Sequence, residues 1–460
     1  MTMKHTWMRF VAVVAVMMAM APAGASAAPD AGVVGNGTPA SCDSNALQTA
    51  LNGGGLVTFN CGAAPHTLIS NTYIISANTV VDGANKITLN GESLRQHFRV
   101  NAGVSLTLRN INLTNGSQPQ GGSIYNQGTL VVENAAFTNN TTTNDGGAIF
   151  NLPAGTVIIN GATFSSNKAP LASGYGGAIS SQGVLTVTGA TFTQNEARYG
   201  GAIFIGGSSR ASIASSAFNT NKAQLYGGGL YMNNAASSVT IVNASFDKNT
   251  ANFGAGVNRG DGALAISHAS FTDNAASNAT FGGGGLYIEN APSVVKVTNA
   301  TFSGNTTASA KGGGIYNRGK LELVNVTLKN NQNNLFTANG GPGTLTSLRN
   351  TALDTNGASL NCDSGGVNVT SGGNNFANDN SCLLNAPTDQ TGTTLVANLN
   401  LKVTGFTTYY PPLAGSQLIN KGANCPTFDQ RFAVRIDTCD VGAIEAGGLT
   451  ARSLVPIAVR

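Results

Sequence analysis

The residues of this chain best suited to chemistry are a thin scatter of carboxylates and lysines and a regularly spaced series of aromatics. Hydrolysing a glycosidic bond takes two carboxylates within about 5 to 10 Å of each other. A calcium-assisted elimination takes several carboxylates around one ion and a base for the proton. Asp145 and Glu196 are the acids that could serve. Counted four positions on from a phenylalanine that recurs along the middle of the chain, successive residues are Thr141, Lys168, Glu196, Lys222 and Thr250. Glu196 therefore falls between two lysines, and two positions after the phenylalanine Lys248 precedes Asp273 in the same way. Glu133, Asp145, Asp247, Asp261, Glu289 and Glu322 fall in separate columns, and His66, His97 and His268 stand far apart. The pattern predicts surface ion pairs worth under about 1 kcal/mol each, with Asp145 and Glu196 kept as the catalytic alternative. Glycine pairs precede strands and not helices, so no phosphate cradle is expected, and neither a metal nor a cofactor is expected.

The aromatics suggest binding instead of turnover. Tyr175, Tyr199, Tyr226 and Phe253 each stand four positions before the last residue of a Gly-Gly-Ala/Gly-Ile/Leu motif. A second series, Tyr125, Phe150, Phe204, Tyr231, Tyr287 and Tyr316, follows that last residue directly, with Ser180 and Asn258 in the remaining repeats. Alternation places this second series on the outward face, opposite the inward Ile. Exposed aromatic columns stack on sugar rings or anchor a protein partner at low entropic cost. Tyr175, Tyr199, Tyr226, Phe253, Tyr231, Tyr287 and Tyr316 are the expected binding residues.

The elements that position them are set by two alternating motifs. Gly-Gly-Ala/Gly-Ile/Leu ends at Ile124, Ile149, Ile179, Ile203, Leu230, Val257, Leu286 and Ile315, with small departures at Ser123 and Ala255, and Phe-x-x-Asn runs from Phe137/Asn140 to Phe302/Asn305. Both recur every 24 to 31 residues. A unit this short cannot bury its own apolar face and must stack on its neighbours. Pairs such as Leu130/Val132 and Val157/Ile159 give each repeat a period-two strand, while Gly and β-branched residues exclude a helical solenoid. Three strands per repeat predict an all-β, parallel β-helix of about ten coils, with the Phe side chains in an inward stack and the Asn side chains at a bend. The step from Phe to the next Ile/Leu varies, from 11 positions (Phe192 to Ile203) to 15 (Phe164 to Ile179), so insertions collect in the loop after Phe-x-x-Asn.

Bulk properties agree. Only 10% of the 460 residues are charged, and Gly numbers 59. The net charge of +4 includes Lys4 and Arg9, and no basic stripe suits nucleic acid. Residues 1–27 read as a secretory signal: Lys4, His5 and Arg9, an apolar run from Phe10 to Ala21, then Ala25-Ser26-Ala27. No later run reaches the roughly 18 apolar residues of a membrane span. An exported, monomeric protein at the cell surface, outside the cell or in the periplasm is expected. The six cysteines form three local pairs, Cys42 with Cys61, Cys362 with Cys382 and Cys425 with Cys439, which bracket the repeats and suit disulfides. Residues 42 to 51 read as a short amphipathic helix closing the first coil. The expected division is an N-terminal cap at 28–65, a β-helix at 66–340, a C-terminal cap at 341–446 and a tail at 447–460.

The alternation of Gly-Gly-Ala-Ile with Phe-x-x-Asn resembles the passenger repeats of polymorphic outer membrane proteins. The C-terminal residues, among them Gly415-Ser416-Gln417-Leu418-Ile419-Asn420-Lys421-Gly422, Asp429-Gln430-Arg431, Arg435 and Cys439-Asp440-Val441-Gly442-Ala443-Ile444-Glu445, resemble right-handed parallel β-helix proteins of the choice-of-anchor Q kind. The resemblance implies a right-handed β-helix, and the aromatic columns on it suggest an adhesin-like or structural role. Asn420 replaces the Asp usual in that motif. Asp429, Arg431, Arg435, Asp440 and Glu445 read as a buried ion-pair network fixing the cap. The fold also hosts pectate lyases and polygalacturonases, so the alternative is a polysaccharide lyase or glycoside hydrolase.

Overall fold

Three kinds of corner turn this sequence into a coil. Residues such as Asn134, Asn243 and Asn299 take φ near +50° at the bend before each Phe strand, and Asn139, Ser166, Gln194, Thr220 and Lys248 do the same just before the buried Asn. Asn is the side chain most tolerant of that region after glycine. The third corner uses the glycine pair. Gly200 sits at φ +65°, and a Cβ there would lie 2.3 Å from the Ile203 carbonyl oxygen. A Cβ on Gly201 would lie 2.4 Å from the Gly228 oxygen of the next coil.

The computed structural model describes residues 30–448, except 290–293, 339–342, 356–358, 364–367, 393–396, 398, 400–401, 405–406 and 437. The expected signal peptide and nearly all of the expected tail lie outside these residues. The described chain is a parallel β-solenoid of about 13 turns, more than the ten expected, because winding starts at Gly55–Phe59 and continues past residue 340 through Leu345–Arg349 and Val369–Ser371. The later coils lack the motifs and were invisible to a motif count. In a typical coil, Ile149–Asn151, Thr156–Asn160 and Thr163–Ser165 each pair in parallel with the coils on either side. A fourth strand, Glu196–Tyr199 in the best-formed coils, follows the Asn.

The core is columnar. Phe137, Phe164, Phe192, Phe218, Phe246, Phe271 and Phe302 are fully buried, and their rings stack with centroids 4.5 to 4.9 Å apart and planes within 8° of parallel. That spacing is the strand spacing of about 4.8 Å. Beside them runs a ladder of buried amides. Asn221 Nδ2 donates to Asn249 Oδ1 at 3.0 Å and to the Phe192 carbonyl at 3.0 Å, while its Oδ1 accepts from the backbone N of Asn195 at 3.0 Å and from its Nδ2 at 2.9 Å. The same arrangement links Asn140, Asn167, Asn195, Asn249, Asn274, Asn305 and Asn331.

Both ends are closed. A helix, Ser44–Leu51, is capped by the Asp43 carboxylate and buries Leu47, Ala50 and Leu51, clipped by the Cys42–Cys61 disulfide. A strand at Asp30–Val34 pairs with Gly55–Phe59. At the other end Leu418 and Val441 pack on Ala352 and Phe376, and Cys362–Cys382 ties the last coils. The C-terminal segment also braces the flank. Thr301 Oγ1 donates to Gln430 at 2.6 Å, Arg435 donates to Asn299 at 3.1 Å, and Ala443 N donates to Thr327 Oγ1 at 3.0 Å. Cys425–Cys439 staples this brace, within which Arg431 pairs with Asp429 at 2.6 Å and Arg435 with Glu445 at 3.1 Å, the latter nearly without solvent contact. Asn420 takes φ +55° and its backbone N donates to Asp440 at 2.8 Å, a geometry Asn suits.

Asn221→Ala leaves the Asn195 backbone N–H without its acceptor and takes the side-chain donor from the Phe192 carbonyl in a dry core, a cost of about 3 kcal/mol. Urea unfolding should show a clearly lowered midpoint, whereas Asn219→Ala, on the half-exposed face of the same coil, should stay within about 0.5 kcal/mol of the parent.

Candidate functional site

The residue just before each glycine pair is thrown onto the outside of the corner. Down the stack that position reads Asp145, Tyr175, Tyr199, Tyr226 and Phe253, registered by backbone bonds from Gly146 to Tyr175, Gly176 to Tyr199, Gly200 to Tyr226 and Gly227 to Phe253. Their rings stack at 4.6 Å (Tyr175–Tyr199), 5.8 Å (Tyr199–Tyr226) and 5.1 Å (Tyr226–Phe253). All four rings are half-exposed. Phe281 continues the column 6.0 Å from Phe253.

The second series lies beneath the first. Tyr231, Tyr287 and Tyr316 were expected to face outward, and their side chains do leave the core, yet each is only 2 to 4% exposed. The corner column covers them: Tyr226 lies 5.2 Å from Tyr231, Phe253 5.7 Å from Tyr287 and Phe281 6.0 Å from Tyr316. Two coils carry a small side chain in this inner column. Over Ser180 and Asn258 the rings of Tyr175 and Phe253 lean onto the next coil instead, with Tyr175 4.5 Å from Phe204. The result is a two-layer aromatic stripe whose outer layer meets solvent, while Phe150, Phe204, Tyr231, Tyr287 and Tyr316 beneath it are buried and Tyr125 and Phe336 at its ends are part-exposed.

Cations rim the stripe. Arg99 lies 5.4 Å from the Tyr125 ring, Arg198 5.3 Å from Tyr199, Arg318 5.4 Å from Phe281 and Lys311 5.7 Å from Phe336, all within cation–π range. Burial raises the Asp145 carboxyl above its usual range, partly offset by the Tyr175 backbone N–H it accepts at 3.1 Å. Burial likewise raises Glu289, with Arg318 and Arg259 pulling it back. Arg318 is held protonated chiefly by its hydrogen bond to the Tyr287 hydroxyl.

Asp145 and Glu196 do not converge. Asp145 heads the aromatic column, whereas Glu196 lies at the far end of the short strand, two coils on, paired with Lys168 at 3.3 Å. Three to four residues along a strand and two coils across place them on the order of 14 Å apart. Lys248 pairs with Asp247 at 3.6 Å, not with Asp273. Among the described residues no three His, Cys, Asp or Glu side chains gather as metal ligands, and His97 and His268 are held separately, by Ser123 and against Phe432. Phe281, Phe336 and the cations were missed in the sequence. Phe281 stands one position out of phase, Phe336 belongs to a coil without the glycine motif, and the cations share no column.

The buried phenols resist ionisation. Desolvation raises Tyr231 and Tyr287 and pushes Tyr316 up to about 12. Between the unfolded value near 10 and about 12 the unfolded chain has lost a proton that the folded chain keeps, so stability falls as pH rises through that window. Tyrosinate absorbance should therefore lag in the folded protein and appear together with unfolding, and a full titration of all tyrosines near pH 10 before unfolding would contradict the burial.

The Chlamydia polymorphic membrane protein repeat family matches residues 134–152, 161–182 and 299–318, each stretch spanning a Phe-x-x-Asn turn, a glycine corner or both. No curated protein matches. Among solved structures the chain is similar to pectate lyase Pel9A, at 15% identity over 87% of this chain and 90% of that one with a TM-score of 0.32. It is also similar to the PL6 family alginate lyase AlyGC, at 14% identity, a TM-score of 0.36 and 89% of this chain, spanning 58% of the length of that lyase. The chain is a parallel β-helix in which three stretches are similar to the polymorphic membrane protein repeat.

Proposed function

We propose that this chain is an exported surface protein of adhesin-like or structural role that binds glycans or a protein partner through its aromatic corner, without turning them over. The observation that carries this reading is the half-exposed column Tyr175–Tyr199–Tyr226–Phe253, backed by a buried second layer that fixes its rings. Half-exposed ring edges and phenol hydroxyls, with Arg198 over the Tyr199 ring, present apolar groups and hydrogen-bond donors together, which suits the mixed surface of a sugar ring. The buried layer removes rotamer freedom before any ligand arrives, so little ordering cost is left for binding. Secretion to the cell surface rests on the N-terminal signal pattern, and kinship with choice-of-anchor Q proteins rests on the C-terminal residues. Both belong to this proposal, as does a monomeric state.

A second reading, a glycan-cleaving lyase or hydrolase, is favoured by one observation: Asp145, a carboxyl raised by burial, heads the same column. Among the described residues no second carboxylate stands beside it, as hydrolysis would need.

On a glycan array, Tyr199→Ala and Tyr226→Ala should each weaken binding about tenfold, equivalent to about 1.4 kcal/mol. An ultraviolet assay for unsaturated products on pectin, alginate and chondroitin decides the alternative. Product formation by the parent, abolished by Asp145→Asn, would replace the binding reading with the enzymatic one.

A further inference from the structure

At the other end of the short strands, beside the aromatic corner, runs a shallow polar groove of about 550 Å³. One wall is the column Lys168, Glu196, Lys222 and Thr250, in register from coil to coil. The other wall is the left-handed turn column, in which Asn139, Ser166 and Gln194 point outward. The backbone N–H groups of that column are satisfied by the next coil, but among the described residues these three side chains have no protein hydrogen-bond partner. Three of the chain's eleven lysines line this one groove. Lys168 leans on Glu196 at 3.3 Å and Lys248 on Asp247 at 3.6 Å. Lys222 has no carboxylate within ion-pair distance among the described residues.

Two features of this surface are periodic. A hydrogen-bonding side chain recurs every coil, at about 4.8 Å, close to the advance of one pyranose residue in an extended chain. Charge alternates with twice that period: Lys168, Glu196 and Lys222 read plus, minus, plus, so the like charges stand about 9.6 Å apart. A chain of identical acidic sugars would place a carboxylate against Glu196. A chain in which acidic and neutral sugars alternate would place carboxylates on the two lysines and the hydroxyl or amide of the neutral sugar on Glu196, a pure acceptor when ionised. The groove carries no aromatic ring, so nucleic-acid bases would find nothing to stack on.

We infer that this groove is a second binding site, independent of the aromatic stripe, for an extended polysaccharide in which a uronate alternates with a neutral sugar. The strand runs parallel to the solenoid axis, with Lys168 and Lys222 taking successive carboxylates and Glu196 selecting the neutral residue between them.

The test is calorimetric titration of the full chain with hyaluronan oligosaccharides, which carry one carboxylate per disaccharide, beside polygalacturonate oligosaccharides, which carry one per sugar, and oligothymidylate. The parent should bind hyaluronan best, more weakly as salt rises. Lys222→Glu, an exposed change that leaves the melting temperature unaltered, should weaken hyaluronan binding at least tenfold, and Glu196→Gln should raise polygalacturonate binding towards that of hyaluronan. Tyr199→Ala should leave hyaluronan binding intact, so loss of the aromatic reading and loss of this one are separable. No hyaluronan binding, equal or tighter binding of polygalacturonate or oligothymidylate by the parent, or indifference to Lys222→Glu would overturn the assignment.

Discussion

The fold depends on the amide ladder. Each buried Asn of the ladder spends both N–H bonds and two acceptor positions on the coils around it, so a coil that arrives one residue out of phase leaves several dry polar groups unpaired. Such groups cost on the order of 1 to 3 kcal/mol each, and in a low-dielectric core the chain of bonds also polarises itself. A strand slip would in addition send the stacked Phe ring to the outside. Register is therefore fixed between Phe and Asn, where no length variation occurs, and released after Asn, where the loops differ in length. The glycine pair closes most coils so tightly that a Cβ would lie under 3 Å from a backbone carbonyl, as at Gly201 and Gly228, with Ala255 the departure.

Much of this was legible in the sequence because stacking converts spacing into contact. Residues at equal distances from a repeated Phe become neighbours, so the inward rings, the Asn column, the position of Glu196 beside Lys168 and the three disulfides could be read by counting. What counting missed has a common cause. Whether Tyr231 faces solvent depends on where the Tyr226 ring leans, a matter of corner geometry and coil stagger that a column assignment does not contain. The coils beyond residue 340 keep the strand pairing while losing the motif, because a terminal coil packs against its predecessor and the brace and no longer needs an in-phase Phe.

The brace shows the limit from another side. Its contacts join residues more than a hundred positions apart, such as Thr301 with Gln430 and Thr327 with Ala443, and neither partner repeats. It accounts for a pattern otherwise odd in a solenoid. Polar flank residues that are half-exposed on earlier coils, Thr138 and Ser165 for example, become buried at Thr301, Ser303 and Thr327. Burying the Arg435–Glu445 pair there gains little stability by itself, since desolvation offsets most of the Coulomb attraction. Its donors, however, reach Asn299 and the Gly442 carbonyl as well, which ties the brace to one position along the flank.

A solenoid held in phase by its core presents its surface as a lattice. Side chains in one column stand at a fixed pitch of about 4.8 Å, already ordered before any ligand binds, so the entropic cost of assembling a multi-point contact falls largely on the ligand. Single contacts along such a face are weak, yet they act together on a polymer whose repeat matches the pitch, because each engaged unit raises the effective concentration of the next. Column-by-column variation then sets selectivity: rings at one corner, alternating charge at the other, both on one frame that the buried asparagines keep from shifting.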